Sequence, residues 1–218
     1  MNKGQIWETV IEQRLQLAGI LRRLDPGQWA TPSLCVGWTV QDVAAHMISA
    51  PQLGPVAILK LMPQMLRYGY NGTTLHDGQR RGRAGAASIL SQFDRFATVP
   101  RGPAVVSMRE TLTDSLVHFQ DIVRPLSIEH DMPLDAAVEV ARRLAHTGLL
   151  LGSRPMLKSL RMVATDADYS QGSGDEISGP IAELVMLRAG RAPRWELLQG
   201  PGVAVDREKW LARRPSET

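Results

Sequence analysis

Asp114 and His118 stand four residues apart in a stretch, 107–123, whose apolar residues recur at helical spacing. On a helix such a pair projects from one face about one turn apart. There a carboxylate oxygen and an imidazole nitrogen can share a metal ion. Asp121 follows one further turn along the same side, and His46 sits centrally in another helical stretch. A histidine from one helix and a carboxylate–histidine pair from a second make a three-ligand set, His46, Asp114 and His118. It leaves a coordination position open, as a catalytic metal site needs, and imidazole with carboxylate suits Zn²⁺.

The same pattern has a plainer reading. At about 100° per residue, Met108, Leu112, Leu116, Phe119, Val123 and Leu126 define the apolar face. Asp114 and Asp121 then lie nearly opposite it and His118 to one side, as on any solvated polar face. His46 could equally be a histidine at the edge of a core, hydrogen-bonded to a carbonyl. Asp42, four residues before His46, is better placed as a helix-capping carboxylate. His76, His130 and His146 have no partner at ligand spacing. Cys35, the single cysteine, is a candidate nucleophile or fourth ligand, set against the more common unreactive buried thiol. Arg80, Arg81 and Arg83 form a local basic cluster able to hold a carboxylate or phosphate by forked hydrogen bonds, or simply to face solvent.

These residues need helices to position them, and residues 1–152 read as a helical bundle. A helix with Ile6, Val10, Leu15, Ala18, Leu21 and Leu24 as its stripe ends at Asp25-Pro26-Gly27. Thr39 and Asp42 make the cap and acidic arm that start the His46 helix. Residues 57–70 are helical again, Asn71-Gly72 and 76–83 read as loop, and 86–98 is a helix buried through Ile89, Leu90, Phe93 and Phe96. The 107–123 helix follows. A last one starts at Pro133 and stops around Gly148 or Gly152.

The character changes after about Pro155, so residues 153–218 are expected to form a small α/β domain. Residues 160–165 read as a strand, 168–174 as a turn, and 176–178 as the return strand of a hairpin. A helix then runs from Pro180 to about Gly190. Trp195, Leu197 and Leu198 are expected to cover the small core, and the tail after Arg213 to fray.

Composition bounds the function. The chain has 218 residues, 44% hydrophobic and 22% charged, which excludes a disordered chain and allows a sizeable core. Of 25 basic residues only Lys3, Lys60, Lys158 and Lys209 are lysine, yet 22 acidic residues hold the net charge to +3. That balance and the lack of a recognisable DNA-binding motif argue against a nucleic-acid partner. The early acidic residues fit neither a signal nor a transit peptide, and no apolar run reaches the length of a membrane span. A cytoplasmic protein with no membrane partner is expected, as a monomer or homodimer. Of the arginines, only those of 80–83 and Arg191 stand out as candidates for holding a small anion.

Trp29, then Cys35-Val36-Gly37-Trp38-Thr39-Val40-Gln41-Asp42-Val43-Ala44-Ala45-His46, resembles the signature of the mycothiol-dependent maleylpyruvate isomerase family, within the DinB-like group of metal-binding four-helix bundles. A second block, 114–126, is similar to that family's carboxylate-x-x-x-histidine region. A third, through 160–166, 172–174 and 179–191, resembles its C-terminal part. The resemblance implies a mainly α fold, a DinB-like four-helix bundle with a small C-terminal α/β extension. It places the metal ligands on His46, Asp114 and His118, with Asp121 orienting His118 from behind. Asp114 departs from the glutamate of the family's isomerase and is one methylene shorter. Gly37 and Trp38 would set the approach to the His46 helix. The implied cofactors are a divalent metal, zinc best suited, and mycothiol or a similar low-molecular-weight thiol. The implied partner is a small electrophile that a metal-activated thiolate attacks, in an isomerase or a thiol S-transferase. A non-catalytic metal- or ligand-binding bundle is the rival reading.

Overall fold

The structure, a computed structural model, describes residues 1–147 and 160–211. The expected helix stop at Gly148 or Gly152, the boundary at 152–153, the change after Pro155 and the tail after Arg213 lie outside the described residues. The chain is mainly helical with a small three-stranded sheet near its C-terminus, and it forms two compact units, Met1–His130 and Asp131–Thr218. The helix that starts after Pro133 belongs to the second of these. No helix among the described residues is long and apolar enough to cross a membrane.

In the first unit, α1 (Lys3–Leu21) opens with a reciprocal cap between Asn2 and Gln5 and buries Ile6, Val10, Leu17 and Leu21. Leu15, placed in that stripe by spacing, points outward at 48% exposure. The short α2 (Pro26–Ala30) is capped by Asp25 and buries Trp29. Gly37, at φ +80°, takes the left-handed conformation that turns the chain toward α3 (Val40–Ser49). There the Thr39 hydroxyl accepts the Asp42 N–H at 3.2 Å, and Asp42 accepts the Thr39 N–H at 3.0 Å. Such a capping box contributes about 1 kcal/mol. It also anchors the start of the helix that carries His46. Helix α3 packs against α4 (Pro55–Gly82), α5 (Ala86–Phe96) and α6 (Met108–Val123), and α1 against α5 and α6. Their shared core includes Leu17, Trp38, Val43, Ile48, Phe93, Phe119 and Ile122.

Residues 71–72 and 76–83 are expected as loop, but α4 instead continues to Gly82. The helix kinks at Gly69, where φ is 68°. The glycines that suggested a loop serve close packing. A Cβ at Gly78 would lie 2.7 Å from the Trp38 ring, and one at Gly82 would lie 2.0 Å from the Asp42 carboxylate. Helix α4 can approach α3 only because those side chains are absent. Contact between helices outweighs the roughly 1 kcal/mol that each mid-helix glycine costs.

In the second unit, α7 (Leu134–Thr147) buries Ala136, Ala137, Val140, Ala141 and Leu144 and packs on α8 (Ile181–Arg188). The sheet has β1 (Leu160–Ala164) at its centre, between β2 (Ser170–Gln171) and β3 (Asp175–Gly179). The expected hairpin between β1 and β3 is not formed. β3 runs parallel to β1, Leu160 opposite Asp175 and Ala164 opposite Gly179, while the antiparallel partner is the two-residue β2. The chain crosses from one edge to the other at Gly172, where a Cβ would fall 2.1 Å from the Leu160 carbonyl oxygen. Asp166 accepts the Ile181 N–H at 2.8 Å and so caps α8. Of the expected lid, Leu198 is buried, whereas Leu197 is 41% exposed. Pro201–Leu211 forms a further helix, α9, that the sequence reading did not anticipate.

Candidate metal centre

Helix α6 is buried on more than its apolar face: Thr111, Ser115, Gln120 and Asp121 are buried with Leu112, Leu116 and Phe119. The solvated-face reading therefore fails for Asp121, which is fully buried. It fails because α1 and α3 both pack on α6, whereas a helix at a surface would need only one covered side.

The packing of α3 on α6 brings His46 to the Asp114–His118 pair. One carboxylate oxygen, Asp114 Oδ1, lies 3.4 Å from His46 Nε2 and 3.2 Å from His118 Nε2. Behind His118, the Nδ1–H donates to Asp121 Oδ2 at 2.8 Å. That bond keeps a proton on Nδ1, so that Nε2, which faces Asp114, is the nitrogen that a metal would take in place of a proton. The shorter aspartate thus reaches both imidazoles.

Burial opposes the charge on Asp114, but His118 and His46 hold its carboxyl well below the usual carboxylate range. Burial likewise opposes the His118 cation, and Asp114, with Asp121 and Cys35 behind, raises its pKa well above the ordinary value. Without a metal, the His118 imidazolium and the Asp114 carboxylate therefore face each other as an ion pair. Two imidazole nitrogens and a carboxylate oxygen, all within 4.8 Å of one another, are the donor set of a divalent transition-metal ion, so the residues present fit such a group.

Three further residues shape the site. Trp38, 8% exposed, stacks on His118 with a centroid distance of 6.2 Å and 12° between the planes. It also meets His46 edge-on at 5.1 Å. Expected only to guide the chain into α3, this indole in fact covers both histidines; the Gly37-Trp38 pair next to a helix cap was the one signal for it. The Cys35 thiol donates to Asp121 Oδ2 at 3.0 Å and lies 3.5 Å from His118 Nδ1. Cys35 therefore meets His118 on the side away from Asp114. Cys35, His118 and Asp121 form a second group with metal-ligand spacing, sharing His118 with the first. Arg14, almost wholly buried, feels the Asp114 charge; desolvation pulls its pKa down to about 10. Its guanidinium donates to the carbonyls of Val99 at 3.0 Å and Arg101 at 3.2 Å. Nothing in the local sequence marked Arg14.

The other sequence candidates lie elsewhere. His130 stacks on Phe119, and His76 lies on α4 beside Tyr68. Arg80 and Arg81 are on the α4 helix, paired with Asp77, and not in a loop.

Residues 11–85 match the family model of the mycothiol maleylpyruvate isomerase N-terminal domain. The match covers about a third of the chain, at its N-terminal end. His46 and Trp38 fall within the matched residues; Asp114 and His118 follow them. Among solved structures, the chain is similar to a mycothiol-dependent maleylpyruvate isomerase, with a TM-score of 0.66 and 13% identity over 93% of this chain and 94% of that one. A histidine-to-alanine mutant of a mycothiol-dependent maleylpyruvate isomerase matches over the same shares with a TM-score of 0.55 and 14% identity. At these identities the likeness establishes the fold, which is that of the maleylpyruvate isomerase structures. No curated protein matches the chain.

Proposed function

We propose that this protein is a divalent-metal enzyme of the mycothiol maleylpyruvate isomerase family. His46, Asp114 and His118 hold the metal, zinc being the best-suited ion, and the reaction is a thiol-dependent isomerisation or S-transfer on a small electrophile. Mycothiol or a similar low-molecular-weight thiol is the cofactor. The observation that carries this reading is the meeting of His46 Nε2 and His118 Nε2 on one oxygen of Asp114, with His118 Nδ1 tied to a buried carboxylate.

A bound dication supplies a thiolate at neutral pH, because it favours the deprotonated form of a coordinated thiol. The protein's own residues do the rest. Asp114 offsets part of the added positive charge and fixes the spacing of the imidazoles. Asp121 keeps the proton of His118 on Nδ1, so that Nε2 remains a ligand. Trp38 keeps water from the faces it covers. Tyr70 lies near enough to feel Asp114 and His118; desolvation and the Asp114 charge push its phenol above the ordinary value.

Elemental analysis of protein purified without added metal is expected to show about one equivalent of zinc or a similar ion. His46→Ala and His118→Ala are each expected to lose it. Full metal content in both variants would overturn the donor set. Turnover of an electrophile that needs a thiol and is abolished by chelation supports the enzyme. Stoichiometric metal without any such turnover favours the non-catalytic metal-binding bundle.

A further inference from the structure

The kink of α4 at Gly69 folds the two halves of the helix around a cleft of about 430 Å³. Gln64, Arg67 and Tyr68 line it from the first half, and His76, Arg80 and Arg83 from the second half and its end. The volume falls in the range of small-molecule sites, and no carboxylate among the described residues lines it. The nearest acid in sequence, Asp77, is buried and accepts hydrogen bonds from both Arg80 and Arg81. Its charge is thereby engaged, and it also anchors Arg80 at the cleft. Arg67 and Arg83 are exposed and pair with no described carboxylate. Arg67 lies over the Tyr68 ring at 5.3 Å, and the Tyr68 and His76 rings meet across the kink at 4.8 Å. The cleft thus offers guanidinium groups in excess of acid around an aromatic floor.

We propose that this cleft is a binding site for a small oxyanion-bearing molecule, whose phosphate or carboxylate groups are held by Arg67, Arg80 and Arg83. Guanidinium groups recognise both anions through paired N–H donors, and weak hydration of the group keeps the cost of such pairing low. A ligand there spans the kink and joins the two halves of α4. None of the lining residues is a proposed metal ligand, so the site stands or falls separately from the metal centre.

The test uses the full-length protein treated with chelator, titrated calorimetrically with pyrophosphate and with citrate, against sodium chloride at matched ionic strength. Saturable one-site binding of at least one anion, absent with chloride, is expected. Tighter binding of pyrophosphate assigns phosphate as the recognised group, and tighter binding of citrate assigns carboxylate. The double variant Arg67→Gln/Arg83→Gln is expected to bind at least about tenfold more weakly. Its circular dichroism and melting temperature should be unchanged, since both side chains are exposed and neither pairs with a described carboxylate. Arg95→Gln on α5 is expected to bind as the parent does. The proposal is overturned if neither anion binds beyond the chloride control, or if the double variant binds as tightly as the parent.

Discussion

His118 donates its Nδ1–H to Asp121 Oδ2 at 2.8 Å, and Asp121 is fully buried. They stand three positions apart on α6, so the helix itself delivers the carboxylate behind the ring. A buried carboxylate in this position governs which imidazole nitrogen is available, and so how well His118 can act as a ligand. Asp121→Asn keeps the shape but removes the charge. It is expected to weaken metal binding by about 10–100-fold, measured by competition with a chromogenic chelator, with the fold retained by circular dichroism.

Cys35 touches the same carboxylate oxygen, 3.0 Å away, from outside the His46–Asp114–His118 set. Cys35→Ser keeps a donor at that oxygen and is expected to retain one equivalent of metal. Loss of the metal in Cys35→Ser, with retention in His46→Ala, would move the ion to the Cys35–His118–Asp121 group.

Without metal, His118 has a raised pKa and Asp114 a lowered one. A raised histidine pKa stabilises the fold fully below the unfolded value of 6.5, and that contribution is lost as pH rises through the folded pKa. The lowered Asp114 contributes above its unfolded value of 3.8 and loses that contribution as pH falls through the folded pKa. The melting temperature of chelator-treated protein is therefore expected to fall on the alkaline side, and that of metal-loaded protein to hold. Metal binding below the folded His118 pKa must expel its proton. The calorimetric enthalpy is then expected to depend on the ionisation enthalpy of the buffer, and the affinity to drop as pH is lowered.

Gly78 sits directly against Trp38, the ring that covers both histidines. Gly78→Ala puts a methyl group 2.7 Å from that ring. The gain in helix propensity is about 1 kcal/mol, and overpacking costs about 1–3 kcal/mol. Net destabilisation and an altered near-ultraviolet tryptophan spectrum are expected, read by chemical denaturation and circular dichroism.

Local chemistry was legible in the sequence wherever a feature closes within a few residues. The Thr39–Asp42 cap, the Gly37 turn, the Ser107 helix start and the four-residue spacing of Asp114 and His118 all depend on neighbours along the chain. What the sequence alone left open was decided by contacts between distant residues. The second half of α4 is helical because Gly78 and Gly82 fit against Trp38 and Asp42, more than thirty residues earlier. β3 is parallel to β1 because the chain can cross at Gly172 over the Leu160 carbonyl. Asp121 is buried, and His46 faces Asp114 across 68 residues, because α3 and α1 both pack on α6. Periodicity shows which faces of a helix are polar; only the packing of one helix on another determines which polar face becomes the wall of a site.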